Sequence, residues 1–253
     1  MKKYFLATLF AVLGVVAANS LANNEGSSMA TRITAQLSAT GRNQYDEMKD
    51  AGRKPVEVAQ FFGVAGGMTV LDMAAGGGYN TEILSAAVGP EGVVYAQNDH
   101  YVLRLIKGAH HTAMLGRLVE DRLPNVRYMV VDAEDMPFRD SMDLVFWAFN
   151  IHDVYNEGGE ASALNDLQAM RLALKPGGIL AISDHVGVAG NDNKELHRIE
   201  TAIMVDLLDK AGFVIEETSD LLANPDDDHS QSVYADGLRY NTDRILIRAR
   251  RPK

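Results

Sequence analysis

The chain has 253 residues and a net charge of −10 at neutral pH. That length suits one generous domain, or a domain with appendages. Its acidity argues against a nucleic-acid binder, which carries a basic stripe; the only basic cluster is Arg248, Arg250, Arg251 and Lys253 at the C-terminus. There is no cysteine, which excludes disulfides, zinc–thiolate sites and lipid attachment at a thiol.

Residues 1–22 read as a signal peptide. Lys2 and Lys3 form a positive start, Tyr4 to Ala18 is apolar and uncharged, and Ser20-Leu21-Ala22 fits a small-x-small cleavage site, with Val16-Ala17-Ala18 as a second. The apolar stretch falls short of the about 20 residues a membrane span needs. A periplasmic or secreted location is therefore expected, with no stable membrane insertion after cleavage; an uncleaved chain would stay membrane-anchored. Residues 23–43 are polar and small, and predict a flexible leader ending in a short helix.

From residue 44 to 253 the pattern is that of one domain. Arg42 to Phe62 is helical, with a break near Gly52 and Pro55. Strands are predicted at Met68–Met73, Gly92–Gln97, Val126–Val131, Met142–Phe149 and Gly178–Asp184. Helices are predicted at Tyr79–Ala87, over most of Tyr101–Leu123, at Ala161–Leu174 and at Lys194–Ala211. Lys175-Pro176-Gly177-Gly178 is a turn that ends the third of these helices. Two last strands, Phe213–Thr218 and Asp243–Arg250, have no helical pattern between them and so predict an antiparallel pairing. The fold class is α/β: a doubly wound, mostly parallel seven-stranded sheet of Rossmann-like type with an antiparallel last strand.

In such sheets ligands bind beyond the carboxyl ends of the strands, so the glycine-rich stretch LDMAAGGGYNTEIL, Leu71 to Leu84, is the prime place. A nucleoside-triphosphate loop needs Lys-Ser or Lys-Thr after its glycines, and there is none. A dinucleotide loop needs a third glycine where this chain has Thr81, and an acid where Asn98 and Asp99 follow the second strand. A third chemistry places the acid Asp72 at the strand end and a helix N-terminus after the glycines, which suits a zwitterion.

Asp72, Ala74, Gly76 and Gly78, followed by VVYAQN, VVDAEDMPF, MDLVFWAF and LKPGGIL in order and spacing, resemble the class I S-adenosylmethionine-dependent methyltransferases. Their first motif is typically V/I/L-L-D-x-G-x-G-x-G. The likeness covers nearly all of the chain from the first strand on. It extends to a group of exported bacterial predicted methyltransferases with DAGRKPVEVAQFFGV before the first strand and TDR-x-L near the end. The resemblance implies S-adenosylmethionine as cofactor, held by Asp72, Ala74, Gly76 and Gly78. It places Asn98 at the ribose, where the family has Asp or Glu, and Asp132 with Ala133 at the adenine. Ala74 departs from the family glycine, and Asn98 replaces a charge-assisted contact by a neutral one.

The methyl acceptor should approach from the end of the fourth strand, WAFNIHDVYN, where Asn150, His152 and Asp153 are the polar groups. A neutral His152 could take a proton as the methyl arrives, or could simply cap the loop. The Asn-Pro-Pro-Tyr motif of base amino-group methyltransferases is absent, which argues against a nucleic-acid base. Asp153, Asp184, His185 and His197, the last with Arg198 on the following helix, could line a metal-assisted site of oxygen ligands and imidazole, but they match no fixed ligand spacing, and no metal is expected. Asp226 to Asp228 with His229 reads as a solvated turn rather than a cation loop. Trp147 and Phe149 read as core. The expected activity is methylation of a small molecule or an envelope component. The alternatives are a non-catalytic ligand-binding protein on the same scaffold and an NAD-dependent oxidoreductase. Export would separate the chain from a cofactor made in the cytosol.

Overall fold

The computed structural model describes residues 29–40 and 42–253. The predicted signal segment lies outside them. The elements run as a helix over residues 29–37 (α1), α2 Gln44–Arg53, α3 Pro55–Phe62, β1 Thr69–Met73, α4 Tyr79–Val88, β2 Val93–Asn98, α5 His100–Arg104, α6 Ala109–Leu118, β3 Val126–Val130, β4 Met142–Ala148, α7 Ile151–Ala173, β5 Leu174–Gly187, α8 Asn193–Leu196, β6 Ile199–Glu200, α9 Thr201–Lys210, β7 Val214–Ser219 and β8 Arg244–Arg250. The sheet order is β3-β2-β1-β4-β5-β8-β7, with the two-residue β6 paired to β5 off that path. The seven main strands, parallel except for β8, confirm the expected fold class.

Alternation sorts the strands into two cores. Val70, Leu144, Phe146 and Ala181 face α3, α4 and α6. Leu71, Val145, Trp147 and Leu180 face α7 and α9. Because a side chain's face changes with every residue, strands buried on both sides must be apolar along their middles, as these are, with polar residues such as Asp72 and Asp184 left to their carboxyl ends. Trp147 is core, as expected.

Three expectations change. The leader is not loose where it is described: α1 buries Met29 and Ile33 in the core, and Arg32 donates to the carbonyls of Ala86 (2.8 Å) and Ala87 (2.5 Å). The folded unit therefore includes α1. The helical run α7 begins ten residues before the predicted start, but it is broken at Gly159 (φ 75°, ψ −173°), so a separate short helical segment carrying His152 and Asp153 precedes the predicted helix. The helix predicted over Lys194–Ala211 is broken: His197 ends α8 in the left-handed region (φ 55°), and Arg198 and β6 separate α8 from α9.

One buried network joins the helices on the first face. The Arg117 guanidinium on α6 pairs with Asp46 of α2 and Glu82 of α4, and its Nε donates to the Gly77 carbonyl at 2.5 Å. Arg122 forms two bonds to Glu82 (2.8 and 2.9 Å), and Gln36 of α1 donates to it at 2.6 Å. Burial would raise the Glu82 pKa, but these cations and donors outweigh it and hold it at about 2. A carboxyl depressed on folding contributes stability above its unfolded pKa and loses it as pH falls through the folded value. Urea denaturation from pH 5 to pH 2 should show a steep loss of stability in the wild type. Glu82→Gln should be less stable at pH 6 and show a flatter decline.

Candidate active site

Strand order reverses between β1 and β4, and beyond their carboxyl ends lies a cleft of about 500 Å³. Residues Ala74 to Gly77 line one side, and Phe149, Asn150, His152 and Asp153 line another.

The glycine turn needs left-handed backbone at three places: Ala74 (φ 51°), Gly76 (φ 56°) and Gly78 (φ 87°). Ala74 therefore carries a strain of roughly 1 kcal/mol that the family glycine would avoid. A Cβ on Gly78 would lie 2.8 Å from Arg117 Cδ and 3.0 Å from the Met114 thioether, so this glycine admits α6 rather than a ligand. The turn is held from β2. The Asn98 amide accepts from the Gly76 N–H (2.8 Å) and donates to the Gly76 carbonyl (2.9 Å), and Gln97 Oε1 accepts from the Ala74 N–H (2.9 Å). Asn98 is fully buried, so in this structure its amide positions the turn instead of facing a ribose.

Asp72 ends β1 and is buried, accepting from Thr81 Oγ1 at 2.5 Å. This bond explains Thr81: where a dinucleotide loop has its third glycine, this chain has the donor to its own acid. Burial raises the Asp72 pKa to about 7, against the opposing pull of Thr81 and Arg53. Asp132 is half-exposed and accepts from the His100 N–H (2.9 Å) and lies 3.0 Å from His100 Nδ1. Ala133 packs against the second core. Neither lines the cleft, whose wall beside α5 and α6 is Val102, Leu105, Ile106 and Ala109.

At the end of β4, Phe149 sits in the left-handed region (φ 62°), a strain of the kind that clusters at functional sites. Its ring stacks on His185 at 5.0 Å, and the Arg53 guanidinium lies 4.8 Å from its centroid and 4.6 Å from that of Tyr79. Phe149 is thus a cleft residue rather than plain core. Asn150 donates to the Ala148 carbonyl at 2.6 Å. His152 and Asp153 lie in the first turn of α7, not in a loop. His152 Nδ1 is 2.6 Å from Asp184 Oδ1, and its backbone N–H donates to the other oxygen at 3.0 Å. Its Nε2 is 3.2 Å from Asp153 Oδ1 yet has no aligned hydrogen bond. Burial would lower the His152 pKa, but Asp184 and Asp153 outweigh it and raise it to about 10. The neutral base expected of His152 does not describe this state, because two carboxylates retain its proton. His185 is the opposite case, held neutral by burial, with Nδ1 2.6 Å from Thr242 Oγ1.

Several lining residues were not singled out from the sequence: Arg53, Tyr79, Tyr240 and Arg244. Arg53 and Arg244 belong to the DAGRKP and TDR stretches, which carried the resemblance without a role. The long link between β7 and β8 brings Val233, Tyr234, Arg239 and Tyr240 over the cleft. It is anchored by a fully buried Arg198–Asp227 pair at 2.9 Å, so the acidic turn there is not merely solvated.

Residues 71–182 match the family described as "Methyltransferase domain". The chain is 30% identical over 194 residues to the ubiquinone/menaquinone biosynthesis C-methyltransferase UbiE of Idiomarina loihiensis, covering 74% of this chain and 65% of that protein. It is 28% identical over 170 residues to the enzyme of the same name from Shewanella oneidensis, covering 66% of this chain and 60% of that protein. The chain thus spans a little under two thirds of the curated relatives it matches. Its fold is similar to that of a methyltransferase from Aquifex aeolicus (TM-score 0.59, 21% identity, 81% of this chain and 95% of that one). It is also similar to phosphoethanolamine N-methyltransferase 2 of Haemonchus contortus in complex with S-adenosyl-L-methionine (TM-score 0.56, 19% identity, 84% of this chain and 59% of that one). Residues 71–182 thus form a methyltransferase domain.

The periplasmic or secreted location is corrected here. The relatives are named for ubiquinone and menaquinone biosynthesis, which gives export no support. Among the described residues, no helix is long and apolar enough to cross a membrane.

Two outcomes test the Asp72 environment. Thr81→Val should cost about 1–3 kcal/mol, read by urea denaturation, because it strips a buried acid of its donor. An acid whose pKa is raised on folding lowers stability as pH climbs from its unfolded value through its folded one. Asp72→Asn should therefore gain stability relative to the wild type between pH 4 and about 7, with no further change above.

Proposed function

We propose that this protein transfers the methyl group of S-adenosylmethionine to a small-molecule acceptor, with the ring carbon of a quinol as the favoured class. One observation carries the proposal: the glycine turn and the polar end of β4 line a single cleft of about 500 Å³. The quinol class is supported by the names of the relatives.

In this reading the cofactor would lie along the turn formed by Ala74 to Gly77. Asp72 supplies negative charge beneath its amino group. Arg53, held between the Tyr79 and Phe149 rings, takes its carboxylate through a charge-assisted fork. Asn98 would fix Gly76 beside the ribose, and the adenine end would lie against Val102, Leu105 and Ile106. The acceptor occupies the side formed by Asn150, His152 and Asp153, where Tyr234 and Tyr240 add aromatic surface. S-adenosylmethionine held along the turn would supply an electrophilic methyl to the acceptor carbon, its sulfur keeping the electrons of the broken bond as a neutral thioether and the ring proton passing to water in the cleft. The protein's main contribution is holding the two reactants in near-attack geometry, which can supply several kcal/mol of the barrier.

Methyl-labelled S-adenosylmethionine incubated with demethylated quinols, phenols and amines should put label on a ring carbon of a quinol. If the cofactor binds but no acceptor gains label, the protein is a binding scaffold and the reading fails. Arg53→Met should raise the cofactor Kd at least about tenfold, or about 1.4 kcal/mol, by calorimetry.

A further inference from the structure

We propose that His152, Asp153 and His197 bind one divalent transition-metal ion at the acceptor end of the cleft. No such ion is expected from the sequence, because the residues match no fixed spacing. The fold assembles them: His152 and Asp153 come from the first turn of α7, and His197 from the turn after α8.

The geometry is that of a ligand set. The ligand atoms of the three residues lie within 4.8 Å of one another. Asp153 Oδ1 is 3.2 Å from His152 Nε2 and 2.8 Å from His197 Nδ1. Ligands of an ion at about 2.0–2.2 Å stand about 2.9–3.5 Å apart, so only small adjustments admit one. Two imidazoles and a carboxylate with open positions form a set suited to zinc or to iron, cobalt and nickel in their divalent states.

Further observations point to an ion rather than to an incidental cluster. His152 is 2% exposed, and its Nε2 is buried without a hydrogen-bond partner, facing Asp153, so that a bound ion would take the place of the Nε2 proton, which is released to solvent. Its other nitrogen is bound by the fully buried Asp184, the carboxylate–histidine arrangement that orients metal-ligating imidazoles and fixes their tautomer. His197 holds the left-handed backbone (φ 55°) while its Nδ1 meets Asp153. The neighbouring cation, Arg198, is committed to Asp227 and the carbonyls of Val186 and Gln231, so it does not neutralise Asp153. Asp153 and His197 are partly exposed, which leaves a path for the ion and places its open positions toward the acceptor.

The test is calorimetric titration of chelator-stripped protein with Zn²⁺, repeated with Co²⁺ and read by its visible absorption. One ion per chain should bind at micromolar Kd or tighter, with a cobalt spectrum of imidazole and oxygen ligation. His197→Ala and Asp153→Asn should each weaken binding at least about tenfold, as should the positioning variant Asp184→Asn. His100→Ala, at a separate exposed histidine, should bind as the wild type. Absence of stoichiometric uptake, or wild-type affinity in both His197→Ala and Asp153→Asn, overturns the site. The partly exposed His197 makes its alanine variant safe for folding, which circular dichroism checks. Neither cofactor nor acceptor is needed, so failure here leaves the methyl-transfer reading intact.

Discussion

The cleft exists because one buried cation holds its walls. Arg117 reaches from α6 to Asp46 on α2, Glu82 on α4 and the carbonyl of Gly77 in the turn itself. Helices that share no hydrogen-bonded ladder are thereby locked around the glycine turn. The cost of desolvating such charges is large, and removing one partner leaves the others uncompensated, typically about 3–5 kcal/mol. Geometry rather than net stabilisation is what the network contributes. It also accounts for the glycines: Gly78 has no side chain because the stem of Arg117 passes where a Cβ would be.

Behind the turn, Thr81, which departs from the dinucleotide loop, and Asn98, which departs from the methyltransferase motif, each hold a part of the turn. Thr81 donates to Asp72, and Asn98 clamps both polar atoms of the Gly76 peptide. An acid raised to about 7 and a strained Ala74 are both unfavourable to folding, and both sit where a zwitterionic cofactor would compensate them. Local conflict of this kind is expected at a functional site and is offset by the surrounding core. The acceptor side shows the same logic, with two carboxylates gathered around one buried imidazole.

Much of this was legible in the sequence, for physical reasons. Strands buried on both faces must be apolar along their middles, so β1, β4 and β5 stand out as continuous runs, and a helix N-terminus after an acid and glycines marks the cofactor turn. What escaped reading depends on contacts distant in sequence. The helical segment that carries His152 and Asp153 is short and ends at the Gly159 break, too brief for its periodicity to stand out. The polar composition of α1 hides the fact that Met29 and Ile33 find core partners. Nothing near Asp227 announces Arg198, and nothing near Arg53 announces the two rings that hold it. His197 could be recognised beside Asp153 only once the chain between them was folded.

The central claim is that the turn after β1 holds S-adenosylmethionine. Calorimetric titration of the protein with S-adenosylmethionine, with NAD as control, tests it most directly. The account predicts one cofactor per chain at micromolar Kd, no heat with NAD, and loss of binding in Asp72→Asn even though that variant remains folded. Binding of NAD instead, or S-adenosylmethionine affinity indifferent to Asp72, would contradict it.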